Sequence, residues 1–127
     1  LELYPYRKTR VGALSYGTQK IVGLGRALAM DPKILLLDEI GSGLNREEKE
    51  DLVRFLLRIR HMRKIPIIWV EHDLKMVTDI ADHLVCLSYG SKIADGSPDE
   101  VINDTGVIEA YTGVSRPMSA GREATME

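Results

Sequence analysis

The stretch KILLLDE, residues 33–39, sets four apolar residues in a row and then breaks into two adjacent carboxylates, Asp38 and Glu39. A second stretch, IPIIWVEHD at residues 65–73, does the same: an apolar run to Val70, then Glu71, His72 and Asp73. Residues 33–37 and 65–70 read as strands buried on both faces. Between them, NREEKEDLVRFLLRIRHMRK places Leu52, Val53, Leu56, Leu57 and Arg60 at helical spacing. Asn45 is positioned to cap that helix with Glu48 three residues on, acids cluster early, and Arg58, Arg60, Arg63 and Lys64 gather late, as the helix dipole favours. Strand, helix and strand in this order predict a parallel α/β unit.

Open parallel sheets keep their ligands at the carboxyl ends of the strands. Asp38 and Glu39 stand at one such end and His72 at another. Adjacent carboxylates there can divide their labour, one holding Mg2+ directly or through water, the other orienting or deprotonating an attacking water. An acidic loop after a strand is the plainer explanation of the pair, and a histidine is more often structural than functional.

The tetrapeptide LSYG occurs twice, at residues 14–17 and 87–90. The second copy lies between the apolar run at residues 84–87 and SKIADG, where Tyr89 and Gly90 suit a hairpin turn. SPDEVI then starts a helix with Ser97 as cap, Pro98 at the first position and Glu100 three residues after the cap. The first copy precedes a helical pattern at Ile21, Leu24 and Leu28. Capped by Ser15, that helix would turn the free N–H groups of Tyr16, Gly17 and Thr18 outward at its positive end, a place suited to phosphate, and Gly17 would let an anion approach.

Composition narrows the function classes. The 127 residues suit one domain, and the net charge of −2 lacks the concentrated positive field of a nucleic-acid-binding domain. Cys86 is the single cysteine, set in an apolar run and read as a buried thiol; it can form neither an intrachain disulfide nor a cysteine-built zinc site. No apolar run nears the roughly 20 residues that cross a bilayer.

Taken together, these motifs resemble the nucleotide-binding subunits of ABC transporters. LSYGTQK is similar to their signature motif, ILLLDE to Walker B with its catalytic glutamate, GSGLN to the D-loop, and the histidine of WVEHD to the switch histidine. The resemblance covers residues 1–113, and its detail, in GLNREEKEDL, VEHDLKMV, IADGSPDEVI and VIEAYTG, is most like the subunits of branched-chain amino-acid importers. It implies an α/β fold: a partial P-loop NTPase-type core of the ABC ATPase kind, with parallel strands and flanking helices, then a C-terminal hairpin and short helices. Residues 1–14 would close a helical subdomain and linker, residues 15–113 form the C-terminal part of the ATPase domain, and residues 114–127, poor in apolar residues, form a flexible tail.

The same resemblance implies ATP as substrate and Mg2+ as its companion. Glu39 and His72 would be catalytic and Asp38 the Mg2+ ligand. Ser15, Tyr16, Gly17 and Thr18 would meet the nucleotide of a second subunit in a head-to-tail dimer, and Gly41, Ser42, Gly43, Leu44 and Asn45 would form the D-loop. Membrane-spanning permease subunits would be the other partners, with no nucleic acid, placing the protein in the cytoplasm against the inner face of the membrane. Four positions depart from the pattern: Thr18 stands where Gln is usual, Ile40 where Pro commonly follows the glutamate, and Gly23 and Gly25 weaken their helix by up to about 1 kcal/mol each.

No stretch fits G-x-x-x-x-G-K-[ST]. GALSYGTQ has the glycine spacing, but Thr18 stands where the lysine belongs. The chain therefore reads as the part of such a subunit from the signature onward, and the isolated chain is expected to be inactive and to self-associate through an uncovered sheet. An ABC-type ATPase of DNA repair or translation, and a nonenzymatic fragment acting only as an interaction module, are the competing readings.

Overall fold

The computed structural model describes residues 1–113; the tail assigned to residues 114–127 lies outside them. The element order is α1 (Tyr16–Ala29), β1 (Leu35–Asp38), α2 (Arg46–Arg63), β2 (Ile67–Val70), α3 (Leu74–Thr78), β3 (Leu84–Ser88), β4 (Ser91–Gly96), α4 (Pro98–Ile102) and α5 (Thr105–Thr112), after short 3-10 turns at Tyr4–Tyr6 and Val11–Ala13. The chain divides into two compact units: Leu1–Ile80 and a second that begins at Ala81. The division falls inside the stretch read as one domain part, residues 15–113.

In the first unit β1 and β2 pair in parallel, with Leu35 opposite Ile67 and Asp38 opposite Val70. This register brings the two polar strand ends side by side. Leu35 and Leu37 are buried with Ile21 and Leu24 of α1 and Leu52, Phe55, Leu56 and Ile59 of α2. The buried stripe of α2 differs from the sequence reading: Phe55 and Ile59 are inside, whereas Leu57 is exposed and Val53 only half-buried. Either choice satisfies helical spacing, and contact with β1 and α1 selects between them.

The strands are not buried on both faces, as the apolar runs suggested. Leu36 is 67% exposed, and Ile34, Ile68 and Val70 are exposed as well. Only the face toward α1 and α2 is covered among the described residues.

Helix α2 starts at a complete capping box: Asn45 Oδ1 accepts from Glu48 N at 2.9 Å, and Glu48 Oε2 accepts from Asn45 N at 3.0 Å. Glu47 and Glu48 occupy its first turn and Arg60, His61 and Arg63 its last, matching the dipole.

In the second unit β3 and β4 form the expected antiparallel hairpin. Tyr89 and Gly90 both have positive φ, 47° and 79°, the turn geometry that follows the right-handed twist of the strands. Ser97 and Glu100 complete a capping box on α4 with Pro98 at its start, as read from the sequence. Cys86 is half-buried rather than buried, like the other inward-facing positions of β3, and the register shifts between Cys86 and Leu87.

Candidate functional site

The parallel pairing of β1 and β2 gathers the polar strand ends. Glu39 N–H donates to the Val70 carbonyl at 2.9 Å, continuing the ladder one residue past β1. The Glu39 backbone then turns into the left-handed region, φ 44°, which ends the strand and leaves its side chain at the surface. His72 Nδ1 lies 3.8 Å from Glu39 Oε1, both side chains largely exposed. Two residues 33 apart in sequence thus meet because their strands are adjacent. Asp38 ends β1 with an exposed side chain that makes no hydrogen bond or ion pair among the described residues.

The first LSYG copy does cap α1. Ser15 Oγ accepts from Thr18 N at 3.2 Å and lies 2.9 Å from the Thr18 hydroxyl. The Thr18 N–H is therefore used internally, contrary to the sequence expectation, because a serine cap reaches the third residue of its helix. The N–H groups of Tyr16 and Gly17 have no acceptor among the described residues. Gly17 is buried, and a Cβ there would run into the Glu48 carboxyl. A side chain there would displace the Glu48 carboxyl that completes the α2 capping box, a reason for glycine independent of any anion.

The GSGLN loop joins these parts. Gly41 is buried, and its N–H donates to Glu71 Oε1 at 2.6 Å. Ser42 N–H donates to the Glu39 carbonyl at 3.1 Å. Gly43 has φ 76°, and a Cβ there would stand 2.9 Å from the Tyr16 ring. Leu44 is a core residue and Asn45 the α2 cap. Of the five loop positions, Ser42 and Gly43 keep the most freedom to meet another molecule. Lys20 Nζ reaches back from α1 to the Glu39 carbonyl at 3.2 Å.

The sequence reading missed Glu71, Asp73 and Lys49. Asp73 caps α3 and pairs with Lys49 of α2 at 2.7 Å. The Lys49 ammonium, with the Met76 N–H behind it, holds Asp73 below the ordinary Asp range, and Asp73 in turn raises Lys49. Glu71 had a legible signal. Strand alternation places Ile67, Trp69 and Glu71 on one face, the face that meets the core.

With this geometry in place, residues 1–42 match the ABC transporter family and residues 91–116 match the branched-chain amino acid ATP-binding cassette transporter family. The chain belongs with the ABC transporter ATP-binding proteins. It is 34% identical over 113 residues to the high-affinity branched-chain amino acid transport ATP-binding protein of Pseudomonas aeruginosa, covering 89% of this chain and 44% of the relative. A counterpart of the same description from Escherichia coli is 32% identical over 111 residues, 87% of this chain and 44% of the relative. Among solved structures, an ATP-binding cassette of an ABC transporter is similar at a TM-score of 0.78 and 32% identity, over 86% of this chain and 44% of that one. A nucleotide-free cassette gives 0.77 and 31% over the same shares. The chain spans less than half the length of these relatives. No helix among the described residues is long and apolar enough to cross a membrane.

Proposed function

We propose that this ABC-family chain acts as the signature-to-C-terminus part of an ATP-hydrolysing transporter subunit that energises import of amino acids of the branched-chain type. The observation that carries the hydrolysis reading is the meeting of Glu39 and His72 at adjacent strand ends, 3.8 Å apart and open to solvent. A general base must be able to reach a water at the surface of its site, and the exposed Glu39 carboxylate meets that condition. His72 beside it would contact the terminal phosphate and help to hold the Glu39 carboxylate in line.

ATP would lie between two subunits, since the exposed Ser15 hydroxyl and the Tyr16 and Gly17 N–H groups form a separate donor set at the start of α1, suited to the phosphate of a second subunit's nucleotide. Asp38 fits a hard divalent cation: an exposed carboxylate, otherwise uncommitted, at the carboxyl end of β1. Bound there, Mg2+ would supply charge neutralisation at the phosphates. The match of residues 91–116 to the branched-chain family supports the substrate class over a DNA-repair or translation ATPase. The work of hydrolysis would pass to membrane-spanning permease subunits, placing the protein on the cytoplasmic face of the membrane.

In the complete subunit Glu39→Gln is expected to retain ATP binding and lose at least about 100-fold in turnover, the usual worth of a general base. Steady-state hydrolysis equal to the parent would refute the role.

A further inference from the structure

We propose that Glu71 is a positioning residue that couples the loop at Gly41 to the histidine at position 72. The proposal rests on the ATP-hydrolysis reading of the site and assigns a function to a side chain that reading does not use.

Glu71 is at the carboxyl end of β2, yet its side chain is 1% exposed. A carboxyl group so deeply placed is costly unless hydrogen-bonded, and an apolar residue would fill the space at less expense. One oxygen is firmly engaged, since Oε1 accepts the buried Gly41 N–H at 2.6 Å. The other, Oε2, is buried without a hydrogen-bond partner and lies 3.8 Å from His72 Nδ1. The imidazole therefore stands at equal distance from Glu39 and Glu71.

The contact at Gly41 is close on both sides. A Cβ at that position would overlap the Met76 methyl and come within 2.8 Å of Glu71 Oε1, so a larger residue there would press directly on the carboxyl group. Two residues earlier lies Glu39, whose carbonyl accepts the Ser42 N–H. Displacing the loop at Gly41 must shift the peptide that carries Glu39. Displacing His72 must disturb the carboxyl group that seats Gly41. In a two-subunit enzyme, such a link would transmit the presence of phosphate at His72 to the Ser42 and Gly43 surface.

The test compares Glu71→Met, which removes both oxygens at similar length, with Glu71→Gln, which keeps an acceptor for Gly41, in the complete subunit. For Glu71→Met, kcat is expected to fall about tenfold or more with KM for ATP within about twofold, the pattern of lost alignment rather than lost binding. The Gly41 amide should exchange with solvent at least about tenfold faster. Glu71→Gln should keep Gly41 protected and recover most of kcat. A folded Glu71→Met protein with parental kcat, a loss confined to KM, or a Gln variant as impaired as Met would each overturn the proposal. Should the Met variant fail to fold, the Gln variant decides: Gly41 stays protected while the His72 ring nitrogen resonances move, and unmoved resonances overturn the coupling. A parent protein without Mg-ATP turnover, or with turnover indifferent to Glu39→Gln, overturns the hydrolysis reading beneath it. Turnover that needs Glu39 but ignores Glu71→Met overturns the coupling alone.

Discussion

Gly17 is buried against Glu48, so its proposed place beside a phosphate and its place in the packing of α1 on α2 make the same demand on one residue. Gly17→Ala is expected to cost about 1–3 kcal/mol through overpacking. Removing the obstacle in a Gly17→Ala/Glu48→Ala pair should give less than the sum of the single losses, measured by denaturant unfolding; strict additivity would show that the two residues do not collide. Ser15 separates the two demands. Its side chain caps α1 from an exposed position, and Asp serves as well as Ser in that role. Ser15→Asp should leave the melting temperature within about 2–3 °C of the parent and abolish ATP turnover in the complete subunit, by aiming a carboxylate at phosphate. A large loss of stability would mean that the cap is not preserved. The second copy offers the contrast: Ser88→Ala should be almost silent in turnover, because Ser88 ends a hairpin strand.

At the scale of elements, helix capping and the hairpin turn were legible in the sequence because they depend on neighbours a few residues apart. Asn45 with Glu48, Ser97 with Glu100, and the turn at Tyr89 and Gly90 all stand where the pattern put them. The inward stripe of α2 was not fixed by spacing, since Phe55 and Ile59 are chosen by what β1 and α1 bring to them. The Lys49–Asp73 pair and the Glu71–Gly41 bond were equally hidden, being separated by 24 and 30 positions in the chain. The β3–β4 hairpin also carries a pH dependence. Lys92 at 2.6 Å, and after it His83 at 2.6 Å, hold Asp95 below the ordinary Asp range. A carboxylate depressed by folding stabilises the fold above its unfolded value, about pH 4, and that stabilisation is lost as pH falls through the folded value. The melting temperature of the hairpin unit should therefore decline on acidification below about pH 4, and Asp95→Asn should make that limb shallower. An unchanged acid limb in the variant would show that these exposed pairs contribute nothing.

For the whole molecule, the apolar face formed by Ile34, Leu36, Ile68 and Val70 is the feature that the apolar runs concealed, since such runs in a sequence do not say what covers them. Parallel strands rarely leave one face open. The 127-residue chain by itself is expected to self-associate through this face and its open strand edges. Leu36→Lys with Ile68→Lys should shift its sedimentation toward monomer, and a parent chain that already sediments as a monomer would remove the argument. The central claim is that one chain supplies the base, Glu39, to one ATP and the signature residues, Ser15 foremost, to another ATP held by a second subunit. Mixing tests it most directly. In the complete subunit, Ser15→Asp and Glu39→Gln proteins should each be inactive alone, whereas a mixed dimer contains one composite site with both parental groups. Steady-state ATP hydrolysis of the mixture is predicted to rise well above that of either protein alone; a mixture no more active than its components would contradict the division of the site between two chains.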